Sequence, residues 1–194
     1  MTTTVQSIYY NQASDTLKLE INALLHQVWP DDSPMPGATI PEAHDKELNA
    51  RSFYSYIDGK LVSYAGVIHK TIQHDGQTYN IAGLSCVATE PKYQGQGLGL
   101  RTVAAATQWI EKQRDIDFGI FTCQPSLASF YNHAGSWPVV PDVVLIGNMS
   151  ESALSSESLD VVVLMRLFSE KAKAYESTLR YSTINLEFPD GQFL

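Results

Sequence analysis

A chain of 194 residues with 44% apolar content can bury one substantial core, and its formal net charge of -8 argues against a nucleic-acid or anionic-membrane surface. The same sign favours a cationic partner such as a polyamine, an amino sugar or a basic peptide. Two cysteines, Cys86 and Cys123, make no disulfide framework at this size, and both sit in apolar strand-like surroundings that suit buried free thiols.

The amino-terminal MTTTVQSIYY has no basic region followed by an apolar run, and no stretch approaches about 18 apolar residues, so a reducing cytoplasm is the expected address. His26, His44, His69, His74 and His133 show no zinc-ligand spacing, which predicts no metal.

Thr4 to Tyr10 is rich in β-formers and reads as a first strand. Leu17, Ile21, Leu24, Leu25 and Val28 then recur at helical spacing, with Ser14 placed to cap the helix and Pro30 to stop it. Trp29 to Asn49 carries Pro30, Pro34, Pro36 and Pro41 and is expected to be loop, with one helical turn near Glu42 to Leu48. Its acids Asp31, Asp32, Glu42, Asp45 and Glu47 face a single Lys46, a composition suited either to holding a cation or to an ordinary solvated loop.

Asp58-Gly59 and Asp75-Gly76 separate three runs of strand character, RSFYSYI, KLVSYAGVIHKTIQH and QTYNIAGLSCVAT, and predict antiparallel hairpins. The third strand meets Pro91, passes Gly95, Gly97 and Gly99, and continues into an alanine-rich helix with Leu100, Val103, Thr107 and Ile110 near one face. Strand, glycine loop and helix in that order make an anion site, because the first amides of a helix lack internal acceptors and the dipole places positive charge there. Asp117 to Cys123 reads as another strand, LASFYNHA as a short helix ending at Gly135, and VVLIG and DVVVLMRLF as two closing strands. The segment after Phe168 has no clear pattern.

The glycines fit neither the dinucleotide spacing GxGxxG nor the triphosphate loop GxxxxGK[ST]. Gln94, Gly97 and Gly99, after Tyr93 and Pro91, instead resemble the coenzyme A signature Q/R-x-x-G-x-G/A of the GNAT acyltransferases. Phe130, Tyr131 and Gly135 resemble that family's second signature, an aromatic-Tyr pair with Gly four residues beyond. Gln124 stands where the family often has Asn, and Ser136 where it usually has an aromatic, with Trp137 following. A weaker likeness to the aminoglycoside 2'-N-acetyltransferase branch rests on the tyrosine helix, the Trp137-Pro138 pair and the terminal PDGQFL segment. That branch typically offers a glutamate near Ser85.

The resemblance implies an α/β (α+β) fold, a mixed and mostly antiparallel central sheet flanked by helices, in a single domain with a core of about 4–168 and an extension over 169–194. It implies acetyl-CoA as cosubstrate, held by backbone groups of Val87, Ala88 and Thr89 and by Gln94, Gly95, Gln96, Gly97, Leu98 and Gly99, with Tyr131 as the acid that protonates the departing thiolate. Asp31, Asp32, Glu42 and Ser85 are the candidates for binding a small amine substrate, and a homodimer is compatible with this reading. For the base, Glu90, His69, His74 and an acidic-loop residue acting through water stay open. A non-catalytic acyl-CoA sensor of the same fold is the alternative; it would need the glycine loop and not Tyr131.

Overall fold

The computed structural model describes residues 3–30 and 42–194. Eight strands and five α-helices follow in chain order among these residues: β1 (Gln6–Tyr9), α1 (Asp15–Val28), β2 (Arg51–Ile57), β3 (Lys60–His74), β4 (Gln77–Thr89), α2 (Leu98–Lys112), β5 (Phe118–Cys123), α3 (Ala128–Gly135), β6 (Val144–Ile146), β7 (Val162–Leu167), α4 (Glu170–Ala174), α5 (Glu176–Arg180) and β8 (Thr183–Asn185). The larger sheet has the order β1-β2-β3-β4-β5-β7, and β6 pairs with β8 in a second sheet. The β1–β2, β2–β3 and β5–β7 pairs are antiparallel, while β4 and β5 run parallel through Ile81↔Phe118 and Ala82↔Gly119. The architecture is the expected mixed, mostly antiparallel sheet with helices.

Local chemistry accounts for the element ends. The Ser14 side chain accepts from Leu17 N at 3.2 Å and caps α1. Asp58 and Gly59 (φ 48° and 76°) and Asp75 and Gly76 (φ 46° and 71°) take left-handed φ in succession, the backbone that a two-residue hairpin turn demands.

The chain gathers into two compact units, residues 3–30, 42–68 and 84–107 in one and 69–83 and 108–194 in the other. In the first unit α1 buries Leu17, Ile21, Leu24 and Leu25, and β3 is buried without interruption from Leu61 to Ile68, the pattern of a strand covered on both faces. Lys18, on the buried side of α1, reaches Glu42 at 3.1 Å and lies over the Tyr10 ring.

In the second unit Trp137 is fully buried, packed edge-to-face on Phe121, and its ring occupies the space beside Gly119 on β5. A Cβ added at Gly119 would stand 2.4 Å from Trp137 Cη2. Gly119→Ala is therefore expected to destabilise the fold by about 2 kcal/mol, the cost of overpacking a core that cannot yield. Urea unfolding measures it; an unchanged midpoint would mean that the indole has room to move.

Two sequence expectations change here. VVLIG does not close the larger sheet: of the two expected closing strands Val162–Leu167 pairs with β5, while Val144–Ile146 pairs in parallel with Thr183–Asn185. The unplaced segment after Phe168 supplies that partner strand together with α4 and α5.

Candidate active site

Ser85, Val87, Ala88 and Thr89 at the end of β4, and Gln94 through Gly99 leading into α2, all belong to the first unit and form one continuous strand-loop-helix corner. The corner is tied at several points. Glu90 N donates to Val62 O on β3, Tyr93 N to Glu90 O, and the Gln94 side-chain amide to Thr89 O at 3.1 Å. Thr102 Oγ1 lies 2.9 Å from Ser63 Oγ and 3.0 Å from Leu98 O, and Ser63 Oγ lies 3.2 Å from Thr89 Oγ1. This string of hydroxyls fastens the start of α2 to the ends of β3 and β4. Ser63 and Thr102 escaped the sequence reading because their type is common and only their burial shows the role.

Arg101 N donates to Gly97 O, the first backbone bond of α2, which leaves the amides of Leu98, Gly99 and Leu100 without intrahelical acceptors. Gly95 and Gly97 both have φ 74°, and at Gly97 a Cβ would meet the Arg101 guanidinium at 3.3 Å. The loop thus offers free helix amides, a backbone that glycine alone adopts without strain, and an arginine cation beside them. A pyrophosphate fits that donor set. Ala88 and Leu98 are buried, so their side chains are core and not ligand contacts.

Upstream on the same strand, Cys86 has φ 52°. The other non-glycine residues with left-handed φ among those described lie in the hairpin turns, at ends of helical turns (Asn49, Ser136) or past β8 (Glu187), whereas Cys86 is inside a strand. Such a conformation costs about 1–3 kcal/mol and persists only where the surroundings enforce it. Burial pushes the Cys86 thiol up, and that of Cys123 up to about 11, so both stay protonated and unreactive near neutrality.

The segment just before β2 packs against this point. Ala43 N donates to Tyr10 Oη at 2.9 Å, and Ala43 O lies 3.7 Å from the Cys86 thiol. His44 is 4% exposed; its Nε2 lies 2.8 Å from Tyr64 Oη, which lies 2.9 Å from Ser52 Oγ. Its ring fills the place of the missing side chain at Gly66, where a Cβ would be 2.5 Å from Nε2 and 3.1 Å from Ser85 O. Desolvation lowers the His44 pKa to about 4, so the ring is neutral. Nothing in the sequence reading singled out His44. The signal that was present is Gly66 in the middle of a strand pattern, which marks a close approach.

The remaining candidates divide. Asp31 and Asp32 fall outside the described residues. Glu42 is held at 3.1 Å by Lys18 and 3.5 Å by Lys46, so its charge is already answered within the protein. The ammonium groups depress its pKa against the opposing effect of burial. Glu90 is nearly buried, with Oε2 2.7 Å from Lys60 and Oε1 3.6 Å from Lys92, so its charge too is answered within the protein. His69, beside Trp109, and His74, at the hairpin turn, are both in the second unit. Tyr131 is there too, buried on α3 with Phe121 and Phe130 edge-on at 5.0 Å, and burial raises its phenol well above the ordinary range. Among the described residues no group of three or more His, Cys, Asp or Glu could hold a metal ion, and no helix is long and apolar enough to cross a membrane.

The profile of the family described as "Acetyltransferase (GNAT) family" matches residues 19–135, more than half of the chain. The chain belongs to the GNAT acetyltransferase family. A sequence search of curated proteins gave no match. Among solved structures, Escherichia coli ElaA superposes with a TM-score of 0.58 at 12% identity, covering 85% of this chain and 99% of its own. An acyl-CoA N-acyltransferase from Pseudomonas aeruginosa gives 0.56 at 15% identity, with 85% and 99% covered. A GNAT acetyltransferase from Streptococcus pneumoniae gives 0.54 at 15% identity, with 86% and 100% covered. At these identities the structures speak for the fold. Family membership makes this GNAT protein an acyltransferase that takes its acyl group from an acyl-CoA.

Proposed function

We propose that this GNAT protein transfers an acetyl group from acetyl-CoA to the primary amine of a small cationic acceptor. The observation that supports the reading is the corner at Gly97, where unbonded helix amides, left-handed glycines and Arg101 combine into a donor set that a pyrophosphate would fit. Main-chain groups of Val87 and Thr89 would pair with the pantetheine arm, and the Val87 amide would polarise the thioester carbonyl.

In the reaction the amine nitrogen forms a bond to the thioester carbonyl carbon, the carbon-sulfur bond breaks, and the thiolate takes a proton while the amine loses one to water. Tyr131 is the proposed proton donor. What supports it is its place in the aromatic-Tyr pair four residues before Gly135; burial raises the phenol and makes it the weaker acid, so the role rests on placement against the leaving sulfur. For the acceptor, the support is the sign of the whole chain, -8, with Asp31 and Asp32 in the acidic segment; Glu42, held by two lysines, is left out of the proposal.

Thiol release from acetyl-CoA against a panel of polyamines, amino sugars and neutral amines tests the reading directly. Cationic amines are expected to be turned over, and Tyr131→Phe to lower kcat about tenfold with the Michaelis constant for acetyl-CoA little changed. Turnover confined to neutral amines would remove the cationic acceptor. A Phe variant with wild-type kcat, chemistry being rate-limiting, would return Tyr131 to plain core packing.

A further inference from the structure

We propose that His44 is a positioning residue of the acyl site: wedged on Gly66 and held by Tyr64, it locks Ala43 against β4 and keeps Cys86 in the left-handed conformation that aims the Val87 amide. This rests on the reading that Val87 faces the thioester carbonyl.

Three observations meet at one place. Cys86 is strained within its strand, and its thiol lies against Ala43 O. Ala43 is held by Tyr10, and the next residue, His44, fills the notch at Gly66, whose other border is Ser85 O. The ring is stacked on Tyr64 and edge-on to Tyr10, and its Nε2 is one end of the string that runs through the Tyr64 hydroxyl to Ser52. A side chain this buried needs an answer for its polar atom, and the Tyr64 hydroxyl supplies it. With that bond in place the imidazole has one orientation, so Ala43 has one position, and Cys86 cannot relax to extended φ without losing the contact. The amide that follows Cys86 is Val87. Its direction is set by the φ and ψ of Cys86, so releasing the strain would turn the proposed carbonyl donor away from the acyl group.

His44→Phe keeps a ring in the notch and deletes the nitrogen. His44→Gln has a polar end that reaches the place of Nε2 and gives the Tyr64 hydroxyl a hydrogen-bond partner again. The probe is acetyl-CoA labelled at the thioester carbonyl, whose carbon NMR resonance moves downfield when a donor polarises it. Its affinity is measured in parallel by calorimetry.

The expected result is a bound downfield shift in wild type and in His44→Gln. In His44→Phe the shift is lost and thiol release is about tenfold slower, with coenzyme affinity within about twofold of wild type. A merely structural histidine would lower thermal stability and leave the carbonyl shift of the folded protein intact; that outcome overturns the proposal. If wild type binds acetyl-CoA with no shift at all, the reading of Val87 fails, and it fails visibly apart from His44. Should His44→Phe not fold, Tyr64→Phe cuts the same string in its middle, and an unaltered shift in that variant is equally fatal.

Discussion

Gly97→Asp is expected to weaken acetyl-CoA binding by a factor of about one hundred or more, close to 3 kcal/mol, in a protein that still folds. Three effects add in the same direction. Glycine adopts φ 74° freely, whereas a side chain there is strained. The added Cβ would stand 3.3 Å from the Arg101 guanidinium, so the new carboxylate is placed to pair with Arg101 and withdraw that cation from the ligand. Its negative charge would also face a pyrophosphate at contact range, where two like charges near a protein surface repel by a few kcal/mol, about 4 at an effective dielectric of 20. Gly97→Ala carries only the strain and the mild crowding and should lose far less. Calorimetric titration of both variants, with circular dichroism to verify the fold, separates charge from conformation. Equal affinity in wild type and Gly97→Asp would place the pyrophosphate elsewhere.

What was readable from the sequence follows the range of the interactions involved. The hairpins at Asp58-Gly59 and Asp75-Gly76 and the strand-glycine-helix corner were all legible because each is decided by residues within a few positions of one another. The run Leu61–Ile68 read as a hairpin strand and is one; that both its faces are buried is a fact of packing that the hairpin signal did not carry.

The parallel pairing of Val144–Ile146 with Thr183–Asn185 was not legible. Two three-residue strands far apart in the chain carry no periodicity, and their pairing is chosen by packing. Glu42 shows the same limit at the site. Its charge is plain in the sequence, but its commitment to Lys18 depends on a lysine on the buried side of α1, which its residue type alone would assign to solvent. His44 lies beside an acidic, proline-rich segment where a lone histidine looks like loop, and only its partners Gly66, Tyr64 and Ser52, spread over β2 and β3, make it core.

That buried imidazole should also make the fold sensitive to mild acid. Burial lowers the His44 pKa from 6.5 to about 4, because the charged ring would lose its hydration in the core. Between those values the unfolded chain binds a proton at this position and the native protein does not, so stability falls as pH falls. The contribution is fully present above about pH 6.5 and is lost by about pH 4, amounting to roughly 3 kcal/mol in all. His74, also lowered by burial, adds to the same slope. Glu42 and Asp117, held low by Lys18 and by Lys171 with Ser169, act in the same direction but only below about 4.5, where their unfolded-state carboxyls begin to protonate. The interval from pH 6.5 down to 4.5 therefore isolates the histidines. Urea unfolding at half-unit steps across it should give a stability that drops by more than 1 kcal/mol per pH unit toward the lower end. His44→Phe should remove most of that slope while His74→Phe removes less. If His44→Phe instead reproduces the wild-type pH dependence, the ring at position 44 takes up its proton in the native state and is not the dry, neutral wedge described above.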